Sequence, residues 1–539
     1  MNGNRTGAFL PFLLFGLALT VVCLCHISTV RVYPTPWGDE VNLLELGRCA
    51  VFERNTDWSI ILSPCSSVDK LQPDLFPTYI GGAVTELLFR ATGTFITHRL
   101  FSIAGLACAS LLCCIWLVRK GYSPWTAALG AFLFATECHI SRIAHFYRPD
   151  LWILAIVFLC LLWIMRLEAQ PRLRQYFQFG LLGCVLAFHV LYWFSAVFSW
   201  PILLAEALLL AERERWRGPT YILVACAVGT GFLLGVLLFL VLPFYRDLWT
   251  MLGLLIHHPD LVNIQSSLQP ATDAWSRLVC GLHLFYGNAR TVLMLAARSP
   301  FLWTLSGLGF LWALRSNRIL CSVLSVQLVI MLATTMYAQR IVYLLPGAVL
   351  LAALAMKALS ESRPIHAHPG FCRALHCYYG LAAAFGLAVV LAINLIAGWG
   401  GTGESDRFRD AIRKTIGVGP KRVYVFSWQP YFHAREFGWK LFSFLPINAR
   451  AILEPNKAAF LQSMDYILSN DETNGLDGLL PLTKEEEACL ASHGFVKCAS
   501  IPTKADVESP FVGKCKAAIY SYAYPSFTVW KNQRSPAAP

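Results

Sequence analysis

Eleven apolar runs, each long enough to cross a bilayer, dominate this chain. A helix needs about 20 apolar residues to span the hydrocarbon core, with a range of about 17 to 25. No water is available there to satisfy exposed backbone groups, so a chain with many such runs must bundle them as helices. The runs lie near residues 8–28, 99–118, 124–141, 150–166, 176–193, 195–211, 219–243, 298–315, 319–336, 341–359 and 376–397. Leu75 to Arg90 is shorter, contains Pro77 and carries Glu86, which suits an interfacial or re-entrant helix and makes it a candidate twelfth span. The expected fold class is an all-α polytopic membrane bundle of about 11 to 13 transmembrane helices. Composition agrees, with 14% charged residues where soluble domains carry about 25%.

The formal charge of +12 does not point to nucleic acid, because Lys and Arg fall in short clusters between apolar runs rather than along one soluble face. With the N-terminus inside, Arg119-Lys120, Arg166 to Arg174, Arg213 to Arg217, Arg315 to Arg318 and Arg363 to Arg373 all fall on the cytoplasmic side, where such residues collect. The same topology puts three segments on the opposite side: a loop over 28–98, a second over 245–300, and the tail from Gly401 to Pro539. Ala8 to Cys25 lacks a small-residue cleavage site behind it and reads as an uncleaved first span. Most cysteines sit in apolar runs as small hydrophobes, and Cys489, Cys498 and Cys515 in the tail lack metal spacing.

From residue 401 charge density rises. Strand-like runs at Arg422 to Ser427, Leu441 to Leu445, Tyr466 to Leu468 and Ala517 to Tyr522 alternate with helical stretches such as Asp406 to Thr415. The spacing predicts a soluble C-terminal α/β domain over 401–539, following a membrane domain over 1–400.

Three groups of polar residues stand at the predicted non-cytoplasmic ends of spans. Pro36-Trp37-Gly38-Asp39-Glu40 places two carboxylates at the start of a juxtamembrane helix. Helix capping explains an Asp there, and so does a general base, since an acceptor hydroxyl is a poor nucleophile until its proton is removed. His145-Phe146-Tyr147-Arg148-Pro149-Asp150 fills a very short loop. Pro149 and Asp150 suit a helix start, yet His, Arg and Asp packed so close to the hydrocarbon boundary also mark a functional site. Tyr337 to Pro346 sets Arg340 at the mouth of a span, where it either snorkels to the headgroups or binds a lipid phosphate. His98-Arg99 is a similar pair, read as mostly structural. A transporter is expected to carry polar groups near mid-bilayer, whereas an enzyme joining a lipid-borne donor to a polar acceptor needs its site at the interface.

In order and sidedness these groups resemble the C-type glycosyltransferase superfamily, within it the protein O-mannosyltransferase and aminoarabinose-transferase branch. The resemblance rests on Asp39-Glu40 after the first span, the long first loop, Arg99-Leu100-Phe101-Ser102 opening the next span, Arg148-Pro149-Asp150, and Arg340-x-x-Tyr343-x-x-Pro346. It covers roughly the first 400 residues, and the outer α/β tail matches the aminoarabinose-transferase arrangement. It implies that Asp39 is the catalytic base with Glu40 beside it. Asp150 would be a second acid, with His145 and Arg148 close by, and Arg340 and Tyr343 would lie near the donor phosphate. The implied donor is a polyprenyl-phosphate sugar, the acceptor a hydroxyl on a lipid, glycan or protein, and the outcome inversion at the anomeric carbon. Where relatives carry a basic residue and two prolines in the first loop, this chain reads Gln72-Pro73-Asp74-Leu75, leaving Lys70 as the nearby substitute for donor-phosphate contact.

The sequence assigns no cofactor and leaves a divalent cation open. Asp39, Glu40 and Asp150 offer the oxygen ligands that a divalent cation takes, but their spacing does not demand one. Alternatives are a transporter or flippase of lipid-linked saccharides, a lipid-linked oligosaccharide ligase or polymerase, and a catalytically silent homologue. The expected location is the bacterial inner membrane, with the endoplasmic reticulum as the alternative.

Overall fold

The computed structural model describes residues 5–30, 38–53, 78–145, 147–244, 274–334, 338–362, 369–398, 404–427, 429–443, 450, 452–471, 481–501 and 526–534. It is overwhelmingly helical and divides into two compact units. One comprises Met1–His26, Ser102–Ala144 and Pro149–Ala392; the other comprises Ile27–Phe101, His145–Arg148 and Ile393–Pro539.

All eleven apolar runs are helical: α1 (Arg5–Thr29), α4 (Ile96–Arg119), α5 (Pro124–Ala135) with α6 (Cys138–Ile143), α7 (Asp150–Met165), α8 (Arg172–Tyr192), α9 (Trp200–Arg213), α10 (Gly218–Val236), α12 (Pro300–Ser316), α13 (Arg318–Ala333), α14 (Leu345–Ser360) and α15 (Pro369–Gly398). Two short helices, α2 (Gly38–Leu46) and α3 (Tyr79–Thr92), lie between the first two runs. Among the described residues seven helices are long and apolar enough to cross a membrane, so this is a multi-pass membrane protein. That is fewer than the eleven the apolar runs predict, because α5, α7 and α13 are shorter apolar helices and α12, with 17 residues, is also short. Helix α11 (Ala274–Ala296) falls within the stretch 245–300 that the sequence suggests is a loop; its apolar residues are interrupted by Arg277, His283, Asn288 and Arg290.

Small residues let the bundle close. Between α8 and α10, a Cβ on Gly183 would strike the Val228 carbonyl and one on Gly231 the carbonyl of Gly180. Between α12 and α14, a Cβ on Gly309 would strike the Leu351 carbonyl, and Ser306 Oγ donates to the Ala348 carbonyl at 2.8 Å beside it. In lipid, where apolar burial gives helices little drive to associate, such close approach supplies the packing. The run over 124–141 is broken where Glu137 caps α6: its carboxylate accepts from the His139 and Ile140 backbone N–H groups at 2.7 and 3.0 Å.

The other unit carries a five-stranded sheet of order β2-β1-β3-β5-β4, with β1 (Arg422–Val425), β2 (Lys440–Ser443), β3 (Tyr466–Asn470), β4 (Phe495–Ile501) and β5 (Phe527–Asn532). Strands β2, β1 and β3 are parallel, and β5 joins β3 and β4 antiparallel. Three of these match predicted strands. The run at Ala517 to Tyr522 lies outside the described residues, and β4 and β5 were not foreseen. One sheet face buries Tyr424, Phe426, Phe442, Ile467, Phe495 and Trp530. Helices α16 (Glu404–Ile416), α17 (Tyr431–Glu436) and α18 (Lys484–Ser492) complete the unit. Thr483 and Glu486 form a reciprocal capping box on α18, satisfying two otherwise orphaned backbone donors.

Candidate active site

In the unit that holds the sheet, Glu40 and Arg99 are the two ends of a buried clamp. Glu40 is 1% exposed and Arg99 fully buried. Arg99 Nε donates to Glu40 Oε1 and Nη2 to Oε2, both at 3.1 Å, the two-pronged geometry a planar guanidinium offers a carboxylate. Arg99 Nη1 donates to the Val30 carbonyl at 3.2 Å, and its guanidinium lies 4.8 Å from the Phe95 ring centre. Glu40 Oε1 also accepts the Tyr147 backbone N–H at 2.8 Å. The clamp therefore ties the first turn of α2, the end of α1, the start of α4 and the 145–148 loop together. Asp39 occupies the same first turn; its side chain lies outside the described residues, as do Lys70, Gln72, Pro73 and Asp74.

Aromatic packing seals this region. His98 is buried, with Nε2 2.8 Å from the Thr85 carbonyl. Its ring packs between those of Phe89, Tyr147 and Phe432, with centres 5.7 to 6.2 Å apart. Phe432 belongs to α17, and Arg435 one turn on pairs with the buried Glu86 of α3 at 2.7 and 3.1 Å. Arg90 supplies a second partner for Glu86 at 2.7 Å. His145 and Arg148 are buried as well.

In the other unit a second polar group forms around Asp150, which is fully buried in the first turn of α7. Tyr343, also fully buried, donates its phenolic hydroxyl to Asp150 Oδ1 at 2.5 Å. It lies on the 3₁₀ segment Ala338–Leu344. Gln327 of α13 holds that segment, its Nε2 donating to the Tyr343 carbonyl at 3.0 Å and to the Phe198 carbonyl at 2.7 Å. Arg340 is buried with its guanidinium 5.0 Å from the centre of the Phe198 ring, a cation–π placement. The structure thus brings together Asp150 and Tyr343, which the sequence had set nearly two hundred residues apart, and places Arg340 on the same 3₁₀ segment as Tyr343. Glu137 is a further buried acid of this unit, accepting from Ser299 Oγ at 3.1 Å with His139 Nδ1 at 2.8 Å. Among the described residues, no group of three or more His, Cys, Asp or Glu side chains is placed to hold a metal ion.

No protein-family model matches this chain, and no curated protein matches it in sequence. Solved structures do match its fold. The cryo-EM structure of the arabinofuranosyltransferase AftD from Mycobacteria aligns with a TM-score of 0.51 over 96% of this chain and 40% of AftD, at 13% identity. The chain shares the fold of that aligned part. The crystal structure of ArnT from Cupriavidus metallidurans bound to undecaprenyl phosphate aligns over 99% of this chain and all of ArnT, with a TM-score of 0.48 at 11% identity. The apo form of the same protein aligns over 97% and 98%, with a TM-score of 0.44 at 12% identity.

The sequence singled out Glu40, Arg99, Asp150, Tyr343 and Arg340 but not Glu137 or Gln327. Glu137 and Gln327 sit inside apolar runs and were absorbed into predicted spans. A single acid breaking a run, as Glu137 does between Thr136 and Cys138, was the available signal for the first. Gln327 gave none, because one amide in an apolar helix does not announce which backbone carbonyls it will hold.

Proposed function

We propose that this protein is an integral-membrane glycosyltransferase that moves a sugar from a polyprenyl-phosphate donor to an acceptor hydroxyl at the non-cytoplasmic face, with inversion. The membrane domain over 1–400 would hold the site, and the domain over 401–539 would stand on the outer side. Asp39 is the base that removes the acceptor proton as the hydroxyl attacks the anomeric carbon and the phosphate departs with the bonding electrons. Arg340 and Tyr343 serve the donor phosphate, with Lys70 in the first loop as a further cation. Asp150, with His145 and Arg148 preceding it in the chain, orients substrate.

The single observation that carries this reading is the Glu40–Arg99 clamp. A buried ion pair is an expensive way to hold a helix, since desolvation offsets most of its attraction. Here it fixes the helical turn that presents Asp39, which favours a positioned base over an ordinary cap. Glu40 and Arg99 are accordingly positioning residues. The fold shared with an arabinofuranosyltransferase supports the same class.

The test is sugar transfer from a polyprenyl-phosphate sugar by purified, reconstituted protein. Asp39→Asn should lower turnover by about 2 to 4 orders of magnitude, the usual contribution of a general base, and unchanged turnover would falsify the assignment. A second reading draws on Glu137, a buried acid at a helix break of the kind transporters use. Movement of a lipid-linked saccharide across vesicles without any glycosyl product would favour it.

A further inference from the structure

The carboxyl end of the parallel strands holds a buried polar group that the proposed reaction does not use. Val425 of β1 pairs with Leu468 of β3, and Phe426 N–H donates to the Leu468 carbonyl at 3.1 Å. Asn470 is the last residue of β3, and Ser427 follows β1 through the bend at Phe426 and Ser427. Asn470 pairs with Phe527 of β5, Phe527 packs on Phe408 of α16, and the Phe408 ring meets that of His433 in α17. Gln429 lies between β1 and α17, and Tyr431 opens α17.

Ser427, Gln429, Tyr431 and Asn470 are each at most 4% exposed. Yet Ser427 Oγ, Tyr431 Oη and both amide atoms of Gln429 and Asn470 have no hydrogen-bond partner. Leaving one such group unsatisfied costs about 1 to 3 kcal/mol, and native proteins leave few. Six atoms from four residues at one strand end therefore mark a place where something else completes the bonding. Ordered water is the ordinary filler of such gaps. Three features favour a ligand. In open α/β sheets, ligands bind outside the carboxyl ends of the parallel strands. Amides and hydroxyls both donate and accept, matching hydroxyls that do the same. None of the four residues is itself charged, so the groups that would touch the ligand suit an uncharged partner.

We propose that Ser427, Gln429, Tyr431 and Asn470 form a binding site for an uncharged, hydroxyl-rich ligand, a neutral sugar ring of the acceptor. That the sugar belongs to an acceptor rests on the transferase reading; its binding does not.

The experiment uses the full chain in detergent without donor, and a panel of neutral methyl glycosides of hexoses and pentofuranoses, read by saturation-transfer NMR. At least one glycoside should bind, and Gln429→Leu and Asn470→Leu should each weaken it by about tenfold or more, the effect of about 1.4 kcal/mol. Ser427→Ala and Tyr431→Phe, which remove one oxygen each, keep the test open should the Leu variants fail to fold. No glycoside bound, or variants that bind as the parent does, would mean that water alone fills the gap and would overturn the proposal. Binding without transfer leaves this site standing and removes the transferase reading. Transfer with an acceptor KM unmoved by all four substitutions does the reverse.

Discussion

Two buried carboxylates, Glu40 and Asp150, each accept from a side chain of a different kind. Glu40 is matched by a full positive charge, the Arg99 guanidinium, with the Tyr147 backbone N–H added. Asp150 accepts from a neutral donor, the Tyr343 phenol. An ion pair with fixed two-pronged geometry makes a rigid fastening and leaves its carboxylate already neutralised. A phenol adds a directional hydrogen bond and no charge of its own. The first arrangement suits an anchor, and the second sets the direction in which one carboxylate oxygen points.

The largest expected effect tests the anchor. Arg99→Ala strands Glu40 in a dry site and should cost on the order of 3 to 5 kcal/mol, seen as a large drop in thermal unfolding temperature in detergent. The double variant Glu40→Gln, Arg99→Met should recover most of it, and a double variant as unstable as the single would break the distinction drawn between the two acids.

Next comes pH. Burial, opposed by Glu436, Asp406 and Asp410 and reinforced by Arg409, keeps His433 neutral down to about 4 in the folded chain, against about 6.5 when unfolded. Between those values only the unfolded chain takes up the proton. The contribution is therefore intact above about pH 6.5 and is lost as pH falls toward 4, by on the order of 3 kcal/mol at the limit. Hydrogen exchange of the β1 and β3 amides should accelerate over that interval. His433→Phe should flatten the response, and an unaltered pH profile in that variant would assign the acid sensitivity elsewhere.

Tyr343→Phe should cost less, about 1 to 2 kcal/mol, and should lower turnover more than it lowers thermal stability. A stability loss with unchanged turnover would make Asp150 a second anchor and erase the contrast. Smallest of all is Arg435→Gln. Glu86 keeps Arg90 as a partner, so a loss of about 1 kcal/mol or less is expected, and a loss as large as that of Arg99→Ala would show that the α3–α17 pair is the principal fastening of its unit.

Much of this molecule is legible in its sequence, for a physical reason. Long apolar runs have one solution in lipid, so every predicted span is helical, and β1, β2 and β3 begin within one residue of expectation. The failures share a cause as well. Whether an apolar run is continuous depends on where its polar residue finds partners, which for Glu137 are His139, Ile140 and Ser299. Helix α11 was hidden by its scattered Arg, His and Asn residues. Strands β4 and β5 were missed because their polar residues, Lys497, Ser500, Thr528 and Asn532 among them, mask the alternation. Asp39, Glu40, Asp150 and Arg340 stood out as charges at span ends, but only coordinates reveal that Arg99 serves Glu40.

The strand order has a consequence for biogenesis. Strand β5 lies between β3 and β4 although it follows both in the chain. Until Phe527 to Asn532 have been synthesised and have reached the same side of the membrane, β3 and β4 each keep an open hydrogen-bonding edge. Such edges recruit other chains, so the nascent protein passes through an interval in which its tail depends on chaperone cover while the helices upstream are already in place.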